Sequence, residues 1–208
     1  MIVIHFVKPG TKGFSMGRSQ LEKQKTHERI VTLAAKRLRE EGLEGIGVAD
    51  LMKEAGLTVG GFYKHFASRD ELVAEAVESA IGSWRRQQEE KGIDPESISL
   101  DDYVDTYLSE RHRDHCGEGC AYAALTADMA RSSDAVRTVA TDGLRRNFDA
   151  MTARMPKPET AEARRKAIIA SCLITGALGL ARVANDEAFS NEILETVRSF
   201  VKELPQAE

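Results

Sequence analysis

The stretch "VADLMKEAGLTVGGFYKHFASRDEL", residues 48–72, constrains this chain more than any other. "VADLMKEAG" places Val48, Leu51, Met52 and Ala55 on one helical face and stops at Gly56, as a helix C-terminus does. "LTVGGFYKHF" then has room for two turns of helix, with Thr58 as a good N-cap. Two short helices joined through a tight glycine turn make a helix-turn-helix. Upstream, "THERIVTLAAKRLREEG" carries a helical stripe of Ile30, Leu33, Ala34 and Leu38, ended by Gly42. Downstream, Ser68 and Glu71 have the spacing of a capping box. They open a longer helix with Val73, Ala76, Val77, Ala80 and Trp84 on its inner stripe.

Gly60 and Gly61 sit where a helix interior loses about 1 kcal/mol per glycine relative to Ala. One reading is a compact helical hairpin, with Phe62 and Phe66 four apart on a shared buried face. The other is that the second short helix enters the major groove of DNA. The glycines then clear side chains where the helix meets the duplex. Thr58 offers a hydroxyl to phosphate, Tyr63 a phenol and Lys64 a charge, and Arg69 stands in the first turn of the next helix. The net charge of −4 excludes a generic nucleic-acid coat, yet between Thr58 and Arg69 there are Lys64 and Arg69 and no acid. Local charge is what phosphate contact requires.

The remaining chain reads as helix broken by loops. "EEKGIDPESIS" is a loop through Gly92 and Pro95, and a helix follows over about 100–113 with Tyr103, Val104, Tyr107 and Leu108 inward. "DHCGEGC" is a glycine-broken turn, helices follow near 121–131 and 134–155, and "MPKPE" is a loop before two final helices. No strand is predicted, so the fold class is all-α. With 208 residues, 42% hydrophobic, the chain can bury a sizeable core. No unbroken apolar run reaches the roughly 18 residues of a membrane span. The first fifteen residues differ from the rest, with Met16 the more natural start, and residues 1–17 are expected to form a disordered tail. Cys116, Cys120 and Cys172 are three in number without an export signal, which points to free thiols in a cytoplasmic protein.

"HRDHCGEGC" brings His112, His115, Cys116 and Cys120 together. Two closely spaced pairs strain the tetrahedral geometry of a zinc site, and no acid or amide is spaced to orient a Cys/His nucleophile. No metal or cofactor is expected. A thiol-based redox sensor or thiol-active enzyme using the His112–Cys120 region is the alternative function. Trp84, Tyr103, Tyr107, Cys120, Met129, Phe148 and Cys172 are candidates to line a ligand cavity between helices, or simply core. "IIASCLITGALGLA" has small residues, Gly176 among them, that let helices pack closely, either inside the core or between chains.

At residues 48–72 the sequence resembles the TetR family of bacterial transcriptional regulators. The likeness lies in the small residue before the turn, the Gly56 turn, the Gly-x-x-Tyr-x-x-Phe run from Gly60 to Phe66, and the basic residue before "DEL". "YLSERHRDHCGEGCAYAAL" and "GALGLARVANDEAFSNEIL" also resemble members of the family. The resemblance implies a three-helix DNA-binding domain at 18–67 and a helical ligand-binding and dimerisation domain at 68–208. It implies phosphate contact by Thr58, Tyr63 and Arg69, and base-facing positions for Val59, Gly60, Gly61 and Lys64. The expected function is a ligand-responsive repressor, not an enzyme and not membrane-bound. It would bind a palindromic double-stranded DNA operator as a homodimer and be released by a small-molecule inducer. Gly47 departs from the pattern, since a hydroxyl N-cap is usual there; glycine caps less well.

Overall fold

The computed structural model describes residues 13–204, and among these every regular element is helical. The order is α1 (Gly13–Glu41), α2 (Val48–Glu54), a 3-10 turn (Val59–Lys64), α3 (Arg69–Glu90), α4 (Leu100–Tyr107) and α5 (Glu110–Asp114). A second 3-10 turn (Cys116–Glu118) precedes α6 (Ala121–Ala130), α7 (Asp134–Ala153), α8 (Ala161–Val183) and α9 (Glu187–Glu203). Most of the expected tail lies outside the described residues, while residues 13–17 belong to the start of α1.

Two apolar cores hold these elements. The first joins Ile30, Ala34 and Leu38 of α1 to Leu51, Met52, Phe62 and Phe66, and to Leu72, Val73, Ala76 and Val77 of α3. It continues without a break into Tyr122, Leu125 and Met129 of α6 and Val136 and Ala140 of α7. The second packs Leu100, Val104, Tyr107 and Leu108 against Ala167, Ala170, Ile174, Ala177 and Leu178 of α8, and Leu194 and Val201 of α9. Cys120 touches both cores.

Three sequence expectations change. The helix expected over 100–113 is two helices, because Ser109 begins a new one: its Oγ accepts the His112 N–H at 3.2 Å. The expected recognition helix is a 3-10 turn, consistent with two glycines and six residues, too few to repay α-helix nucleation. And α8 is, by length and composition, long and apolar enough to cross a membrane, although Ser171, Cys172, Thr175 and two glycines interrupt its apolar residues. Only a third of its most apolar stretch is buried in the protomer.

Gly143 of α7 lies close against α6 and α3. A Cβ there would lie 2.5 Å from the Tyr122 hydroxyl, which donates to the Ala140 carbonyl at 2.7 Å, and 2.9 Å from Ile81. Gly143→Ala is expected to lower stability by about 1–3 kcal/mol in chemical denaturation, despite the better helix propensity of alanine.

Candidate nucleic-acid interface

The interface is built from the end of α2. There the Gly56 N–H donates to the Lys53 carbonyl at 3.0 Å and the Leu57 N–H to the Met52 carbonyl at 2.8 Å. This is the Schellman arrangement, and it requires the left-handed φ of +69° that Gly56 adopts. It reverses the chain into the Val59–Lys64 turn. Phe62 and Phe66, each 2% exposed, root that turn, their rings 5.4 Å apart. Phe66 also stacks on His27 of α1 at 4.5 Å, and His27 Nε2 lies 2.6 Å from Glu75 of α3. The turn is thus held from α1, α2 and α3 together.

Its outer face is Thr58, Val59, Gly60, Tyr63 and Lys64, all exposed, Tyr63 to 76%. Gly61 is half-buried over Met52 Cε, 3.6 Å from where its Cβ would stand. A Cβ on Gly60 would meet nothing within 4 Å, and Gly60 has no left-handed φ. Neither packing nor backbone within this chain calls for glycine at that position. Thr58 occupies the N-cap position with φ −82° and ψ 150°, but its side chain makes no capping bond. Ser68 does cap α3, its Oγ accepting from the Glu71 N–H at 3.1 Å. The Glu71 carboxylate accepts from the Ala67 N–H rather than from Ser68 itself.

Arg69 differs from the other six. Its guanidinium turns inward, donating to the Leu43 carbonyl at 2.5 Å and the Ile46 carbonyl at 3.3 Å. It fastens α3 to the α1–α2 connection and so sets where α2 begins.

The expected cavity residues divide. Trp84 and Tyr103 meet edge-to-face at 5.1 Å, Tyr103 and Tyr107 lie 5.8 Å apart, and Tyr107 bonds to Thr175 of α8 at 3.2 Å. Cys120 stands beside both tyrosines, whose hydroxyls burial pushes above their ordinary pKa. Arg154 fills the space over the rings, 6.0 Å from Trp84 and 5.0 Å from Tyr103, and donates to the Pro95, Ile98 and Ala150 carbonyls. Nothing in the sequence singles out Arg154 beyond its place at the end of the predicted 134–155 helix. Met129 belongs to the first core, Phe148 lies under Arg164 at 5.6 Å, and Cys172 is exposed on α8. Two surface hollows of about 460 and 370 Å³ involve none of these seven.

The His112–Cys120 region is structural around its histidine. His112 Nδ1 donates to the Tyr107 carbonyl at 2.7 Å, and Nε2 accepts the Cys120 N–H at 2.8 Å, so both ring nitrogens are used and the ring is neutral. Among the described residues no group of three or more His, Cys, Asp or Glu side chains is placed to hold a metal ion. Burial, then the charge of Arg182, bring the His112 pKa from the usual 6.5 to about 4 against the opposing bond to Tyr107. The unfolded chain therefore takes up the proton first, and this contribution is complete above pH 6.5 and lost as pH falls towards 4. Between pH 7 and pH 5 the protein is expected to lose about 2 kcal/mol more stability than His112→Gln, measured by denaturant titration at each pH.

Comparison with known proteins agrees with this geometry. Residues 30–76 match the sequence model of the family described as bacterial regulatory proteins, tetR family. An uncharacterized HTH-type transcriptional regulator of Haemophilus influenzae is 32% identical over 96 residues, covering 44% of this chain and 46% of that protein. The match thus spans under half of that relative. In fold, the chain is similar to the reduced form of E. coli NemR (TM-score 0.69, 20% identity, covering 86% of this chain and 96% of that one). It is also similar to a TetR-family transcriptional regulator from Agrobacterium tumefaciens (TM-score 0.68, 22% identity, 86% and 98%).

Proposed function

We propose that this chain, whose residues 30–76 match the TetR family of bacterial regulatory proteins, is a cytoplasmic, ligand-responsive repressor that binds a palindromic operator as a homodimer. Residues 18–67 are the DNA-binding part and 68–208 the sensing and dimerising part. The observation that carries the reading is Gly60. It is exposed, unconstrained by its own chain, and stands between Val59 and Tyr63 on a face without acid. A duplex lying against this face supplies the close approach that the chain itself does not. Thr58 and Tyr63 then meet phosphate, and Val59, Gly61 and Lys64 face the bases. Arg69 keeps α2 and the Val59–Lys64 turn at the right height from its position behind them.

Gly60→Ala separates this reading from a purely structural one. The variant is expected to fold with unchanged or slightly higher stability and to bind a duplex selected from a random library about tenfold more weakly. Fluorescence anisotropy checks the affinity. Equal affinity in the folded variant would take the duplex away from this face.

The dimer forms through α8 and α9. Cys172, Gly176, Leu180 and Val183 make one exposed stripe along α8, Leu180 and Val183 at 62% and 80% exposure, and Phe189 and Phe200 of α9 are half exposed beside it. A monomer with this much apolar surface on two adjacent helices needs a partner, and two-fold symmetry matches a palindromic site. The inducer enters at the Trp84–Tyr103–Tyr107 cluster, where it must displace Arg154. A Cβ on Gly176 would meet nothing within the protomer, so Gly176→Leu is expected to fold yet shift the mass measured by light scattering from dimer towards monomer.

A further inference from the structure

The loop between α5 and α6 carries two thiols, and a buried cation that the proposed function does not use is pressed against it. Arg39, in the last turn of α1, is 8% exposed. Its Nε donates to the Gly117 carbonyl at 2.7 Å and its Nη2 to the same oxygen. Its Nη1 is buried with no hydrogen-bond partner. The Cys116 thiol donates in return to the Arg39 carbonyl at 3.0 Å. A Cβ on Gly117 would run into the Glu40 carboxyl and Lys36 Cγ, so the Cys116–Glu118 turn lies directly on α1. Burial works against the Arg39 charge. A buried guanidinium with an unused N–H, beside a half-buried thiol, is a site arranged to meet an anionic oxygen.

We propose that Cys116 is an oxidation site for small hydroperoxides, with Arg39 as its electrostatic partner. The sulfur, as thiolate, attacks one peroxide oxygen. An S–O bond forms as the O–O bond breaks, and the departing hydroxide (alkoxide from an organic hydroperoxide) takes up the proton that the thiol released and leaves as water or the alcohol. Sulfur loses two electrons, the peroxide gains them, and the product is a sulfenic acid. The free Nη1–H of Arg39 donates to the oxygen that develops charge. The added oxygen then needs room where the sulfur now touches the Arg39 carbonyl, so the turn is driven off the end of α1. In α5, just before the same loop, the His112 and Arg113 carbonyls accept from Arg182 of α8 at 2.7 and 3.1 Å. That anchoring keeps the α5 side in place, so the separation is taken up by α1 and the DNA-binding part. This last consequence rests on the repressor reading; the oxidation itself does not.

The test treats the reduced full-length protein with one equivalent of hydrogen peroxide in the presence of dimedone and maps the product by mass spectrometry. The expected result is modification at Cys116, as dimedone adduct or as a disulfide to Cys120, at least five times faster than at Cys116 of the urea-unfolded chain. Modification that is no faster, or confined to Cys172, overturns the site. Arg39→Met is expected to slow the reaction several-fold. Should that variant not fold, Cys116→Ser, whose hydroxyl keeps the bond to Arg39, decides alone. Peroxide is expected to weaken binding of the selected duplex by the wild type at least fivefold and to leave Cys116→Ser unaffected. An oxidised Cys116 with unchanged DNA affinity overturns the coupling. If the reduced protein selects no duplex, the repressor reading has failed, and the mapping still decides the oxidation site.

Discussion

The seam between α1 and α3 is what the rest of the molecule hangs on. Ile30, Ala34 and Leu38 meet Leu72, Ala76, Val77 and Ala80, all 2% exposed or less. The alanines let the two backbones approach, and the packing leaves no room for one helix to slide without exposing both. Through this seam the Val59–Lys64 turn, rooted by Phe62 and Phe66, is rigidly continuous with α6 and α7. What α3 does at one end is therefore felt at the other, because no soft linker lies between them.

The helix-turn-helix was legible because its signals are local. Gly56 ends α2 by a φ that other residues resist, Ser68 caps α3 through its own side chain, and the Ile30–Leu38 stripe repeats at helical spacing. The same reasoning placed Phe62 and Phe66 inward and Tyr63 outward. What failed to show in the sequence depends on partners far along the chain. Arg69 reads as a surface cation, and only the carbonyls of Leu43 and Ile46, 26 and 23 residues away, draw it inward. Arg154 reads as one of many arginines, and only three carbonyls and two rings make it the plug of the aromatic cluster. The break at Ser109 was hidden because "SERHRD" holds no glycine or proline to mark it.

The turn of Cys116–Glu118 gathers polar work that composition does not announce. Around it, Arg39 takes the Gly117 carbonyl of the turn itself, His112 the Cys120 N–H just after it, and Arg182 the His112 carbonyl near the end of α5. Glycine at 117 and 119 is a packing requirement there, since a side chain at either would strike a neighbour. The contrast with Gly60 is instructive. All three are glycines in short 3-10 turns or beside them, yet those at 117 and 119 are closely hemmed in by their own chain and Gly60 is not.

The length of α3 sets a scale for everything attached to it. Its 22 residues extend about 33 Å at 1.5 Å per residue. As a lever pivoting near Trp84, about 24 Å from Ser68, it converts a tilt of about 8° into a movement of about 3.4 Å at the Ser68 end, the rise between neighbouring base pairs. Sub-ångström repacking around the aromatic cluster is thus geared up to the distance by which one reading register of a duplex differs from the next.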